Sequence, residues 1–197
     1  LGVLGGSFDP IHRGHLTIAE AAIRVLKLDK VLFIPAGKPW MKGERTLAAK
    51  EDRLRMIQLA IEKEPSFEVS SIELDRLGET YTIDTIHHLK EHEARGSHLH
   101  LILGADAATE FDKWKTPEKI LDSCTLVITT RPGNEGNESS IREMIKALGG
   151  KDLQFVKAPP VNISSTNIRE KIAKGEEVHE WPGGVQKTTY MTLCTRP

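Results

Sequence analysis

Short, nearly continuous apolar runs alternate with amphipathic stretches along this chain. The runs at residues 1–5, Val31–Pro35, Phe67–Leu74, Leu99–Leu103, Thr125–Thr130 and Leu153–Val156 read as strands. Between them apolar residues recur at helical spacing. Leu16, Ala19, Ala22, Ile23 and Leu26 share one face, as do Leu54, Ile57, Ala60 and Ile61. Helix punctuation supports the pattern. Thr116-Pro117 reads as an N-cap followed by a first-turn proline, and Ser140-x-x-Glu143 has capping-box spacing. Gly149-Gly150 reads as a stop, and Thr166 as the cap of a helix that runs to Lys174 and halts at Gly175. Strands that are apolar throughout, rather than alternating, are buried on both faces. The expected fold is therefore α/β: a doubly wound, mainly parallel sheet with helices on both sides.

In such sheets ligands lie beyond the carboxyl ends of the strands. Segments 5–15, 35–42, 80–85, 104–114 and 163–169 occupy that position. The first contains Gly5-Gly6-Ser7-Phe8-Asp9-Pro10 and then His12-Arg13-Gly14-His15. Its glycines let the backbone approach a ligand. A helix starting near Gly14 would turn its positive end toward an anion. His12 and His15, three residues apart, can face one point. The segment is neither a Walker A loop nor GxGxxG. Gly37-Lys38 and Gly150-Lys151 are followed by Pro39 and Asp152, not by a hydroxyl residue. A zinc site on His12 and His15 lacks an obvious third ligand. Ile163-Ser164-Ser165-Thr166-Asn167-Ile168-Arg169 offers hydroxyls at another helix start, with an arginine one turn in that can fork onto phosphate.

Composition narrows the chemistry. Apolar residues make up 39% and charged residues 28%; 27 basic against 28 acidic residues leave a net charge of −1. A general nucleic-acid or polybasic membrane binder would show a basic excess. Phosphate binding must therefore come from locally placed groups. Cys124 and Cys194 are far apart and form no CxxC, so neither a disulfide framework nor a cysteine zinc site is expected. No apolar run approaches the ~18 residues of a membrane span, and the chain opens on a strand pattern rather than a leader. The expectation is a soluble cytoplasmic protein.

Taken together, Gly5–His15 and Ile163–Arg169 resemble the two signatures of the nucleotidylyltransferase superfamily, (H/T)xGH and ISSTxIR. Within it, Glu79-Thr80-Tyr81-Thr82-Ile83-Asp84-Thr85 resembles the (S/T)YT segment of the bacterial nicotinate mononucleotide adenylyltransferase family. Ile72-Glu73-Leu74, Gly104-Ala105-Asp106, Lys113-Trp114 and Thr129-Thr130-Arg131-Pro132-Gly133 fit the same family in order. The resemblance covers residues 1–175 and implies one Rossmann-like nucleotidylyltransferase domain. Residues 176–197 would form a tail packed on it or extending it. In the loop after the second strand the family pattern Pro-Pro-His-Lys is replaced by Pro39-Trp40-Met41-Lys42.

The resemblance implies transfer of AMP from ATP to nicotinate mononucleotide, with pyrophosphate leaving. It assigns catalytic contacts to His12, His15, Lys42 and Arg169. ATP would be bound by Gly6, Ser7, Phe8, Gly104, Asp106, Ile163, Ser164, Ser165 and Thr166. The acceptor would be held by Tyr81, Thr82 and Trp114. Mg²⁺ would accompany ATP and take its ligands mainly from the nucleotide, so no protein metal ligand is named. The acceptor phosphate is already ionised near neutral pH, so alignment and charge stabilisation suffice. The implied partners are ATP and nicotinate mononucleotide, with neither nucleic acid nor membrane, and a homo-oligomer is compatible with the family.

Two other readings stay open. The same transfer could use a different phosphate acceptor, such as nicotinamide mononucleotide or phosphopantetheine; Trp40-Met41 keeps that alternative alive. A nucleotide-binding module without turnover is the other. An NAD-dependent oxidoreductase lacks its glycine fingerprint. The remaining histidines, among them His87, His88 and His92, read as a solvated helix face.

Overall fold

The computed structural model describes residues 1–39, 47–130, 137–178 and Pro182 of the 197. Six strands form one parallel sheet: β1 (Gly2–Gly6), β2 (Val31–Pro35), β4 (Phe67–Val69), β6 (His100–Gly104), β7 (Thr125–Thr130) and β8 (Leu153–Lys157). Their order is β4-β2-β1-β6-β7-β8. The chain winds outward from β1 to one edge, then crosses back and winds to the other. This is the doubly wound arrangement, with its topological switch between β1 and β6. A second ladder, absent from the sequence expectation, pairs β3 (Lys38–Pro39) with β5 (Glu79–Thr80) in parallel.

Helices α1 (Arg13–Leu26) and α2 (Lys50–Ile61) cover one face of the sheet. On the other lie α3 (Thr82–Glu91), α4 (Ala105–Ala108), α5 (Pro117–Ser123) and α6 (Glu138–Ala147). Consecutive strand residues alternate between the two cores. Leu4, Phe33, Ile102 and Val127 pack with Leu16, Ala19 and Ile57, while Val3, Leu32, Leu101 and Ile128 pack with Ile86, Leu89 and Ile120. Burial on both faces explains why the strands read as unbroken apolar runs. Helix α7 (Ser165–Ala173) closes the described domain over a small cluster of Ile163, Ile168 and Val178.

Three local expectations need correction. The third apolar run, Phe67–Leu74, stops being strand at Val69. β2 continues to Pro35 but pairs with β4 only as far as Phe33; Ser70 N–H still bonds to Phe33 O, and the Ser71 hydroxyl bonds to Asp75 so that the chain curls away. Ser140 is not a cap: α6 starts at Glu138 after Asn137, and the Ser140 hydroxyl donates back to Asn137 O. Thr166 is not a cap either. Ser164 takes that role, its Oγ accepting from Asn167 N–H at 3.1 Å. Thr116 does precede Pro117 at the N-cap of α5, but with φ 48° and no side-chain cap bond.

Candidate active site

β1 and β6 pair only as far as Leu4 opposite Ile102, although β1 continues to Gly6 and β6 to Gly104. Their carboxyl ends therefore part and open a crevice at the switch point. Ser7 follows at once, and Phe8 turns the chain with φ 46°. A positive φ costs energy for a residue with a side chain and persists only where packing over-determines it. Here the Phe8 ring is buried against Phe33, with centroids 5.8 Å apart. Its edge supports His15 at 4.9 Å.

α1 begins immediately after His12. The His12 N–H donates to His15 Nδ1 at 3.1 Å, and the two rings stack with centroids 3.8 Å apart. A nitrogen that accepts cannot carry the proton, so the neutral His15 ring has its hydrogen on Nε2. His15 is thus oriented as a hydrogen-bond donor at the amino end of a fourteen-residue helix, where the helix dipole already favours an anion. His12 is buried and His15 partly so.

The second signature folds directly onto this loop. Ser165 Oγ donates to Pro10 O at 3.0 Å. The Arg169 guanidinium donates to Asp9 O and lies 3.7 Å from the Asp9 carboxylate. It also donates to Thr166 Oγ1 at 3.2 Å. The three hydroxyls expected to cradle phosphate thus have protein partners: Ser164 caps its own helix, Ser165 holds the first loop and Thr166 holds Arg169. Ile163 is buried beneath them.

Across the crevice lies a cavity of about 440 Å³. Gly6, Ser7, Thr82, Asp106 and Trp114 all line it, together with Glu73, Thr85 and Glu110. Trp114 is half-buried and tilted onto Phe111 at 5.2 Å, so it serves both core and cavity. Asp106 also lines a second cavity of about 70 Å³ with Gly104, Ile18 and Thr129. It is not a cap; Gly104 holds that position for α4. Tyr81 is the N-cap residue of α3 rather than a lining group. Its ring lies under Lys115 Nζ, 4.1 Å from the centroid, and its hydroxyl donates to Glu79. Lys42, with Trp40, Met41 and Arg131-Pro132-Gly133, lies outside the described residues.

Two groups of residues escaped the sequence reading. Arg53, on α2, is 3% exposed. It donates to Ser7 O (3.0 Å), Ala36 O (2.8 Å) and Ala48 O (3.1 Å), tying the loop after β1 to the loop after β2. Burial pulls its guanidinium below the usual value, and Asp9 and Glu51 act against that. The second group is Glu73 with Arg76 and Thr85. Burial raises the Glu73 carboxyl, opposed by the hydrogen bond from Thr85 and by the charge of Arg76. Their only sequence signal was position: Glu73 fell inside a matching stretch without a role.

Comparison with known proteins follows the same lines. The profile of the cytidylyltransferase-like family matches residues 3–171. A probable nicotinate-nucleotide adenylyltransferase of Thermoanaerobacter sp. (strain X514) is 46% identical over 179 residues, covering 90% of this chain and 85% of the relative. Its namesake from Roseiflexus sp. (strain RS-1) is 43% identical, covering 90% and 88%. Among solved structures, Plasmodium falciparum nicotinic acid mononucleotide adenylyltransferase complexed with NaAD superposes with a TM-score of 0.75 at 18% identity. That match covers 97% of this chain and 93% of the other, and establishes the likeness of fold.

Proposed function

The chain belongs to the cytidylyltransferase-like family and, within it, to the nicotinate-nucleotide adenylyltransferases, and from that membership we propose that it transfers AMP from ATP to nicotinate mononucleotide. A phosphate oxygen of the acceptor attacks the α-phosphorus of ATP. The bond from that phosphorus to the β-phosphate bridging oxygen breaks, and pyrophosphate departs with the electron pair. The observation that carries this reading is the meeting of the two signatures at the amino end of α1, with His15 Nδ1 already engaged by His12 N–H.

In this reading His15 Nε2–H and the α1 amino end stabilise charge spreading over the α-phosphate, and His12 buttresses the ring. Gly6, Ser7 and Phe8 contribute main-chain groups beside the phosphates. Gly104 admits the nucleotide at the tip of β6, and Asp106 accepts from ribose hydroxyls. Ile163 to Thr166 and Arg169 shape the side facing the leaving group, and Lys42 supplies charge from the loop after β2. The acceptor ring lies against Trp114 with its carboxylate toward the leading amides of α3 at Thr82. Mg²⁺ would enter with ATP. Among the described residues no group of three or more His, Cys, Asp or Glu side chains is placed to hold an ion.

One observation favours a second acceptor. Among the described residues, the charged ones that line the larger cavity are Glu73, Asp106 and Glu110, all acidic. Such walls suit a nicotinamide group, which brings no negative charge, better than a carboxylate. Purified protein with ATP and each of nicotinate mononucleotide, nicotinamide mononucleotide and phosphopantetheine, followed by pyrophosphate release, separates the readings. Turnover confined to another acceptor overturns the nicotinate assignment, and ATP binding without turnover overturns the enzyme.

Among the described residues no helix is long and apolar enough to cross a membrane. A cytoplasmic location belongs to the same proposal, as does the absence of nucleic-acid and membrane partners. Whether the enzyme is a homo-oligomer is read by size-exclusion chromatography with light scattering.

A further inference from the structure

Glu73 stands on the wall of the larger cavity, between the loop after β2 and the first turn of α3. Thr85 Oγ1 donates to Glu73 Oε1 at 2.8 Å and accepts from Arg76 Nη1 at 3.0 Å. Arg76 Nη2 donates to Asp84 O at 3.0 Å. Thr85 itself is 2% exposed, so the Glu73–Thr85–Arg76 part of this chain of bonds is partly shielded from water, while the Arg76–Asp84 bond faces solvent. The Gly37 backbone packs close against the Glu73 main chain and the Thr80 side chain: a Cβ added at Gly37 would lie 2.1 Å from Glu73 O and 2.9 Å from Thr80 Cγ2. Glu73 therefore joins helix α3, through its carboxylate and Thr85, to the segment before β3 that packs against its main chain. The β3–β5 ladder runs through the same place, with Pro39 opposite Thr80.

The consequence falls on α3. Its first turn has no side-chain cap bond. The leading N–H groups of a helix have no partner inside it, so those at Thr82 are available to whatever fills the cavity that Thr82 lines. Their direction is set by what holds the turn in place. That turn is gripped by Glu73 and Arg76 through Thr85 and Asp84.

We infer that Glu73 is a positioning residue for the acceptor nucleotide: by holding Thr85 from the wall of the cavity it fixes the amino end of α3 at the angle that meets the acceptor ring. The inference deepens the proposed function and rests on it for the acceptor's identity. It places no bond between Glu73 and the reacting phosphates, so the effect of losing Glu73 falls on acceptor binding rather than on ATP.

The test uses Glu73→Ala and Glu73→Gln, with ATP and nicotinate mononucleotide varied separately and Tm recorded. A glutamine keeps a carbonyl that can accept from Thr85; an alanine keeps nothing. Glu73→Ala is expected to raise the acceptor KM about tenfold or more, as lost hydrogen bonds to a charged group imply. The KM for ATP should stay within about twofold, and Glu73→Gln should recover most of the difference. An unchanged acceptor KM, an equal rise in both KM values, or a glutamine variant no better than alanine overturns the inference. Should Glu73→Ala fail to fold, Thr85→Val reads the same contact and is expected to raise the acceptor KM alone; a normal acceptor KM in that variant also overturns it. If the wild-type enzyme works on a different acceptor from the panel, the nicotinate assignment falls and Glu73 is judged on the KM of the acceptor used. A wild-type protein that transfers AMP to none removes both.

Discussion

Arg169 on α7 donates to the main-chain carbonyl of Asp9 and keeps the Asp9 carboxylate 3.7 Å away, joining residues 160 positions apart in the chain. The Asp9 side chain is 7% exposed and that of Arg169 30%. Part of the guanidinium therefore remains accessible while its fork braces the first loop. Such a contact couples the two signatures mechanically. If the amino end of α1 is to meet an α-phosphate, Arg169 holds the loop that delivers it.

Arg169→Ala should accordingly lower kcat/KM for ATP by about 10–100-fold, the range set by ~1.5–3 kcal/mol for charge-assisted hydrogen bonds. Asp9→Asn keeps the backbone carbonyl and should lose less. Steady-state kinetics on both variants would show whether they rank this way; equal losses would mean that the ion pair alone matters.

His15→Ala removes the donor aimed from the helix start. A fall in kcat of about 10²–10³ with only a modest change in the KM for ATP is expected, the pattern of a contact strongest in the transition state. Single-turnover measurements with saturating ATP test this directly. Turnover close to wild type would remove His15 from the chemistry.

Arg53→Met fits the volume of the site but strands three carbonyls, on Ser7, Ala36 and Ala48. Leaving buried acceptors unsatisfied costs about 1–3 kcal/mol each before relaxation, so ~3 kcal/mol overall is a cautious figure. For a chain of this size that lowers Tm by about 6–12 °C. Differential scanning calorimetry reads the shift, and a change under 2 °C would show that water replaces the guanidinium.

At Gly37 an added Cβ would sit 2.1 Å from the main-chain oxygen of Glu73. Backbone cannot yield as a flexible side chain can, so Gly37→Ala should push the segment before β3 away from the acceptor wall. A stability loss of about 1–3 kcal/mol is expected, together with a raised KM for the acceptor. Urea unfolding and acceptor titration together check it.

Burial raises the Cys124 thiol to about 11 from an ordinary 9.0. Below pH 9 it is neutral whether the chain is folded or not. Between those values the unfolded thiol ionises while the folded one stays protonated, so this group makes stability fall as pH rises. Cys124→Ala should flatten that alkaline decline relative to wild type in urea midpoints measured from pH 8 to 11. Parallel curves would show that the thiol is not the group responsible.

Much of the fold could be read in advance because its causes are local. Val31–Pro35 is apolar at every position and Thr125–Thr130 has an apolar centre flanked by threonines, and both became fully buried interior strands with the expected bounds. The run after Phe67 was read too long because strand length depends on a neighbour, and β2 offers β4 only Val31 to Phe33. Arg53, beside Asp52 on α2, carries no spacing signal that marks it as buried. What buries it is the approach of Ser7 and Ala36, which no spacing along the chain announces.

The sequence by itself determined the strand and helix order, the two helix starts able to meet phosphate, and the pairing of His12 with His15, since these follow from residue type and spacing. Only the tertiary structure decided that β1 and β6 separate beyond Leu4 and Ile102, that α7 grips the Asp9 loop, and that Glu73, Thr80 and Thr85 close on one point. Those relations join segments tens to more than a hundred residues apart. They exist because burial on both faces of a parallel sheet forces the carboxyl ends of its strands, and the loops they carry, into one crowded edge.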